Sequence, residues 1–287
     1  VRRLSFAPVV GVSALALLAF VAGVVAWREA RPPELCPEGM ILLGPRCCGE
    51  SQSLEGGRCT GVPRRCSAEQ EPSPEGCRPR AGKVELRGGR VERRPTDWDD
   101  RSGTSAPIEV EAFAIDRHEL TEADYAACVT AGASAPARRR GEPGLPQTDV
   151  TAKDAAACCA HRGGALPTAT QLAFAAMGAA GRRYPWGDAG AVCRRVAHGL
   201  VDGPCARGAE GPQLAGSHPS GRTPEGVLDL AGNVEEWATS EGDLEARGGS
   251  FRDESVTALR NFSRRALASD RGEDFRGFRC VYAAGSR

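Results

Sequence analysis

The sequence predicts an α+β fold, irregular and loop-rich, behind an N-terminal transmembrane helix and a small disulfide-rich stalk. Three observations predict it. An uncharged apolar stretch opens the chain, six cysteines crowd the segment that follows, and beyond Lys83 short alternating and helix-capping patterns are separated by Gly- and Pro-rich connections. The 287 residues leave room for one large domain with appendages, and Lys+Arg and Asp+Glu, both 37, balance to no net field. Nucleic acid is not an expected partner. The one short basic run, Arg138 to Arg140, accompanies no aromatic stacking set and reads as a solvated loop.

No charged residue occurs between Leu4 and Trp27, and Val9 to Trp27 is nearly all Val, Ala, Leu and Gly. At ~1.5 Å per residue, a helix over that stretch approaches the ~30 Å hydrocarbon core. Arg2 and Arg3 precede it, so the positive-inside rule leaves the N-terminus cytoplasmic. The expected topology is a single pass through the cytoplasmic membrane with the C-terminal domain extracytoplasmic. A cleavable signal peptide, cut after Val24-Val25-Ala26, is the alternative, although the apolar stretch is long for one.

Residues 1–30 are thus expected as the anchor, 31–82 as a stalk or small binding module, and 83–287 as the main domain. Of 12 cysteines, one block lies between Cys36 and Cys77; Cys128, Cys158, Cys159, Cys193, Cys205 and Cys280 form the other. An even number in each block suits disulfides, whereas zinc would want paired CxxC motifs or clustered histidines, and the 4 histidines are scattered. The first block, too poor in apolar residues for a core, needs cross-links in its place; its connectivity stays open.

From Lys83 onward, Val84 to Glu92 alternates around a Gly-Gly turn and reads as a hairpin; Ile108 to Asp116 reads as one half-exposed strand. Three helix starts follow, with Thr121 before Asp124, Thr151 before Asp154, and Thr168 before Gln171. In each, the hydroxyl can accept from an orphan backbone N–H while the third residue reaches back or favours the positive helix end. Gly132 and Gly163-Gly164 suit left-handed caps that end the first two helices. Past Gly181 the chain is loop-rich, and long ordered loops need staples such as disulfides or a metal.

Four segments in order carry a family resemblance: Phe113 to Val129 (FAIDRHELTEADYAACV), Cys158 to Asp188 with its LPT and YPWGD, Gly226 to Trp237 (GVLDLAGNVEEW), and Arg247 to Phe251 (RGGSF) with Arg276 to Val281 (RGFRCV). Together they resemble the formylglycine-generating enzyme, or sulfatase-modifying factor, family. The resemblance implies a C-type-lectin-like fold. Active members convert a cysteine of sulfatases to formylglycine with oxygen and a copper(I) ion held by two thiolates, a soft ion selected by sulfur. Those thiols follow the RGGS serine by three and eight residues. Here the serine is Ser250, and the positions hold Asp253 and Ala258. The expectation is a pseudoenzyme, a binding or scaffold member without copper, with a peptide or envelope protein as partner. A divergent enzyme using Ser250, Asp253 and the nearby arginines, or a retained formylglycine-generating oxidase, is the alternative. Sulfoxide-forming iron relatives draw their ligands from an added helical domain for which this chain has neither room nor histidines.

The resemblance also implies a calcium site at the Gly-Asn turn, using side chains of Asp229 and Glu236 and carbonyls of Gly232 and Val234. Calcium takes six to eight oxygens, and two carboxylates bracketing such a turn can supply them; a solvated tight turn is the plain alternative. A bridge between Cys159 and Cys280 is likewise implied. The family's second bridge maps to Ala176 and Ser263, both non-cysteine here, which leaves Cys128 with Cys158 and Cys193 with Cys205. The arginine series from Arg247 to Arg279 reads either as an anion-recognition surface or as internal ion pairs.

Overall fold

The computed structural model describes residues 35–91, 107–138 and 141–285. Leu35–Arg287 forms one compact unit. It begins with three hairpins: β1 (Met40–Leu43) with β2 (Arg46–Gly49), β3 (Ser53–Glu55) with β4 (Arg58–Thr60), and β5 (Gln70–Ser73) with β6 (Gly76–Pro79). Three disulfides, all at a separation of 11 residues, staple them: Cys36–Cys47 and Cys66–Cys77 tie the chain ahead of the first and third hairpins to β2 and β6, and Cys48–Cys59 joins β2 of the first hairpin to β4 of the second. Polar contacts fasten the hairpins to the rest of the unit. Ser67 Oγ donates to the Gly216 carbonyl at 3.1 Å, Gln70 Nε2 to that of Ala215 at 3.1 Å, and Arg117 and Arg222 both bind Glu69.

Strands β7 (Lys83–Leu86), β8 (Gly89–Val91), β9 (Ile108–Val110) and β10 (Phe113–Asp116) depart from the expected arrangement. Val84 to Glu92 is not a hairpin. β7 pairs with β10 and β8 with β9, because the chain turns sharply at Gly88 (φ +69) and Gly89 (φ +138) and sends its halves into different sheets. A side chain at Gly88 would sit 2.3 Å from the Val110 carbonyl oxygen. Ile108 to Asp116 is correspondingly two short strands, broken at Glu111-Ala112.

Helices α1 (Glu122–Thr130), α2 (Ala152–His161) and α3 (Ala169–Met177) start at Thr121, Thr151 and Thr168, whose hydroxyls accept from the backbone N–H of Asp124, Asp154 and Gln171. After a long irregular stretch come β11 (Glu235–Ser240), β12 (Asp243–Arg247), β13 (Arg264–Leu267), β14 (Arg276–Gly277) and β15 (Val281–Ala283). β15, β10 and β7 make one sheet; β13, β12, β11 and β14 make another, in which β14 runs parallel to β11. Helix α3 packs Leu172, Phe174 and Met177 onto Val84, Phe113 and Ile115. Helices α1 and α2 enclose Trp237, Phe278 and Tyr282 in a second core. The fold is α+β and loop-rich, and its cores hold the irregular segments between them.

The membrane-spanning expectation is corrected as well. Among the described residues no helix is long and apolar enough to cross a membrane. The longest, α2, has 10 residues and reaches about 15 Å, half of the ~30 Å core. The proposed stretch Val9 to Trp27 lies outside the described residues. The membrane anchor, the single-pass topology and the membrane as partner therefore have no place in the architecture described.

Candidate functional site

The turn between Gly226 and Trp237 is conformationally unusual before any ligand is considered. Asp229 (φ +54), Gly232 (φ +74) and Asn233 (φ +60) all adopt left-handed backbone, which two non-glycine residues hold only where the surroundings dictate it. Gly232 has no alternative, since a Cβ there would meet the Ala197 carbonyl oxygen at 2.4 Å. The surroundings are a buried polar cluster. Asn233 Nδ2 donates to Glu119 Oε1 (3.1 Å) and to the Gln213 carbonyl (3.2 Å), and its Oδ1 accepts from Gln213 N–H. Asp229 Oδ2 accepts from Gly216 N–H at 2.6 Å.

At the centre stands Arg279, fully buried. Its Nε and Nη2 grip Glu236 edge-on at 2.7 Å each, Nη2 also donates to the Leu228 carbonyl, and Nη1 to those of Asp116 and Arg117. This fork matches a carboxylate in plane and spacing. One guanidinium, however, faces three buried carboxylates: Glu119, Asp229 and Glu236. Burial, and next the charge of Asp229, push the Glu119 carboxyl well above its ordinary range against the pull of Arg279. Burial also raises Glu236, with Arg279 opposing. Glu119 Oε2 has no hydrogen-bond partner. The cluster thus carries excess negative charge that a proton on Glu119 or a hard cation can balance. Asp229 and Glu236, assigned to calcium by resemblance, lie together here, but both oxygens of Glu236 are held by Arg279. Among the described residues no three His, Cys, Asp or Glu side chains are arranged to hold a metal.

The segment after RGGS is built differently. Ser250 is 1% exposed, and its backbone N–H and Oγ both donate to Asp253 Oδ2, at 2.7 and 2.8 Å. Asp253 therefore closes a local turn. Ala258 offers no ligand, and its N–H continues the turn by donating to the Ser255 carbonyl. His198, buried beside Asp253, is held below its usual pKa by burial against the opposing effect of Asp253. The Ser250 hydroxyl donates to the Asp253 carboxylate and to no imidazole, so no Ser–His pair is formed there. All 12 cysteines lie in disulfides; besides the three hairpin staples these are Cys128–Cys158, Cys159–Cys280 and Cys193–Cys205.

Most of the arginine series serves as internal pairing. Arg276 Nε binds Glu235 Oε1 at 2.5 Å, Arg265 binds the same carboxylate, and Arg276 also lies 4.5 Å over the Trp237 ring. Arg247 holds Glu245 at 2.6 Å and Arg252 holds Asp274 at 2.5 Å. Glu235 is buried and absorbed by these ion pairs. The residues the motifs did not single out are Glu119, Gln213 and His198. Each is a polar residue in a loop whose burial comes from segments far away in the chain.

A sulfatase-modifying factor enzyme 1-like domain matches residues 68–284. The chain is similar to the Mus musculus protein named inactive C-alpha-formylglycine-generating enzyme 2, at 34% identity over 157 residues, 49% of this chain and 50% of that protein. It spans about half the length of the curated relatives it matches. Among solved structures, PvdO from Pseudomonas aeruginosa is similar with a TM-score of 0.56 at 21% identity, over 70% of this chain and 94% of that one. Treponema denticola variable protein 1 is similar with a TM-score of 0.57 at 15% identity, over 71% and 95%. At these identities the likeness is one of fold. Matched over residues 68–284, and with every cysteine committed to a disulfide where active members keep a thiolate pair, this chain belongs to the sulfatase-modifying factor enzyme 1-like family as a member without the copper-binding cysteines.

Proposed function

We propose that this chain is a non-catalytic binding or scaffold member of its family. The observation that carries the reading is the closed Ser250–Asp253 turn: the position of the first copper thiolate holds a carboxylate already bonded to Ser250, and the second holds Ala258. A hard oxygen and a methyl group cannot hold Cu(I). Oxygen uptake with Cu(I) and a sulfatase-type Cys-containing peptide is expected to match the protein-free blank. Peptide conversion with stoichiometric copper would overturn the reading.

The excess charge of the acidic cluster supports calcium as its balancing ion, with Asp229, Glu236 and the carbonyls of Gly232 and Val234 as the holding groups; the ion can enter only if Glu236 releases one of the two oxygens that Arg279 now holds. The donors are hard oxygens of the kind Ca2+ takes, and the unpartnered Glu119 Oε2 marks uncompensated charge beside them. The bound ion would supply charge balance and rigidity to the turn. Glu119→Gln separates the two ways of balancing. Because the folded pKa of Glu119 lies above its unfolded value, its unfavourable contribution is absent at low pH and grows as pH rises from the ordinary Glu range through the folded pKa. In EGTA the substitution is therefore expected to stabilise by about 1 kcal/mol or more near neutral pH and to do little near pH 4. With Ca2+ the wild-type melting temperature is expected to rise and the advantage of the variant to vanish. A wild-type protein indifferent to Ca2+ and EGTA would count against the ion and leave the proton.

A further inference from the structure

A cleft of about 410 Å3 opens between the first two hairpins and the segment from Arg207 to Leu214. That volume is in the range of small-ligand sites. Its charged lining is Arg46, Arg58, Arg207, Glu142 and Glu210. Arg46 is committed, donating to Glu142 Oε1 at 2.6 Å. Arg207 is not. Its Nη1 donates to the Leu35 carbonyl at 2.9 Å and touches Cys47 Sγ at 3.3 Å, but its Nε and Nη2 are buried without a partner. Burial first, and then the like charge of Arg46, bring its pKa down to about 10. No carboxylate contributes to that balance, unlike the one around Arg279.

We propose that this cleft binds a ligand through a single carboxylate, toward which the Arg207 side chain turns so that its covered Nε and Nη2 hold the group edge-on. The protein contains the pattern: Arg279 uses the same two nitrogens to hold Glu236. At Arg207 that half of the fork has no internal partner, and a buried donor left unmade is costly, so an incoming carboxylate gains both bonds and removes that cost. The charge inventory favours a monoanion. Three arginines against two glutamates leave one positive charge in the lining, which a carboxylate neutralises and a phosphate dianion overfills. Ser250 and Asp253 are not among the lining residues, so the proposal does not depend on whether that region is catalytic. It needs the N-terminal hairpins, since one wall of the cleft belongs to them.

The test is a titration of the 15N-labelled full chain with N-acetylglycinate, following the Arg207 Nε–H resonance in the wild type and, in the wild type and the variants alike, the backbone N–H resonances of Gly208 and Ala209, which line the cleft. A saturable shift with half-saturation on the order of millimolar is expected. N-acetylglycinamide, which lacks the charge, is expected to give none. Arg207→Gln is expected to abolish the response, and Arg207→Lys, which keeps charge without the fork, to weaken it about fivefold or more. Should Arg207→Gln fail to fold, the comparison of acid with amide on the wild-type protein decides alone. A flat titration to about 20 mM, equal shifts from acid and amide, or tighter binding of inorganic phosphate than of the acid would each overturn the proposal.

Discussion

Arg279→Met is expected to cost the domain on the order of 3–5 kcal/mol, because it leaves Glu236, Glu119 and Asp229 buried with no facing cation. It also frees the carbonyls of Asp116, Arg117 and Leu228, which tie the end of β10 and the loop before the turn to β11. Domains of this kind have about 5–15 kcal/mol in all, so the variant should melt far below the wild type or fail to accumulate folded. Adding Glu236→Gln removes one orphaned charge and is expected to recover part of the loss. Urea denaturation of both variants checks this. A loss under about 1 kcal/mol for the single variant would mean that Arg279 does not organise the cluster.

The second large effect concerns Cys159–Cys280, which joins α2 to the residue before β15 across 121 residues. Replacing both cysteines by alanine relaxes the unfolded chain over that whole loop, a loss of about 4–5 kcal/mol in the chain-entropy account. Cys193–Cys205 spans only 12 residues, and its removal is expected to cost about 3 kcal/mol or less. Both cysteines of the long bridge are fully buried, so a small packing loss adds to the difference. Denaturation under non-reducing conditions gives the ranking; a short-loop variant less stable than the long-loop variant would contradict it.

What was legible in the sequence was local chemistry. Thr121, Thr151 and Thr168 announce helix starts because capping needs only a hydroxyl and the next three residues. The family was legible because four motifs in order demand the same turns. Partner choice was not legible where it depends on distant chain. Val84 to Glu92 alternates like a hairpin, yet β7 finds β10 and β8 finds β9, since the turn at Gly88-Gly89 splays the strands instead of folding them together. The hairpin disulfides left a visible trace, the repeated separation of 11 residues, but spacing alone does not say that neighbours pair. The apolar run Val9 to Trp27 is a length signal, and no spanning helix occurs among the described residues. Glu119 reads as one acid among many in HELTEAD, and only contact with Asn233, 114 residues away, reveals its burial. The arginines were visible as a series, but their carboxylate partners were not.

Cysteine oxidation state decides most directly whether this fold can house a copper–thiolate oxidase. Denatured but unreduced protein, treated with iodoacetamide and weighed intact, is expected to carry no adduct, every one of its 12 cysteines being bridged. Two adducts per chain would expose a pair of thiols and contradict the account.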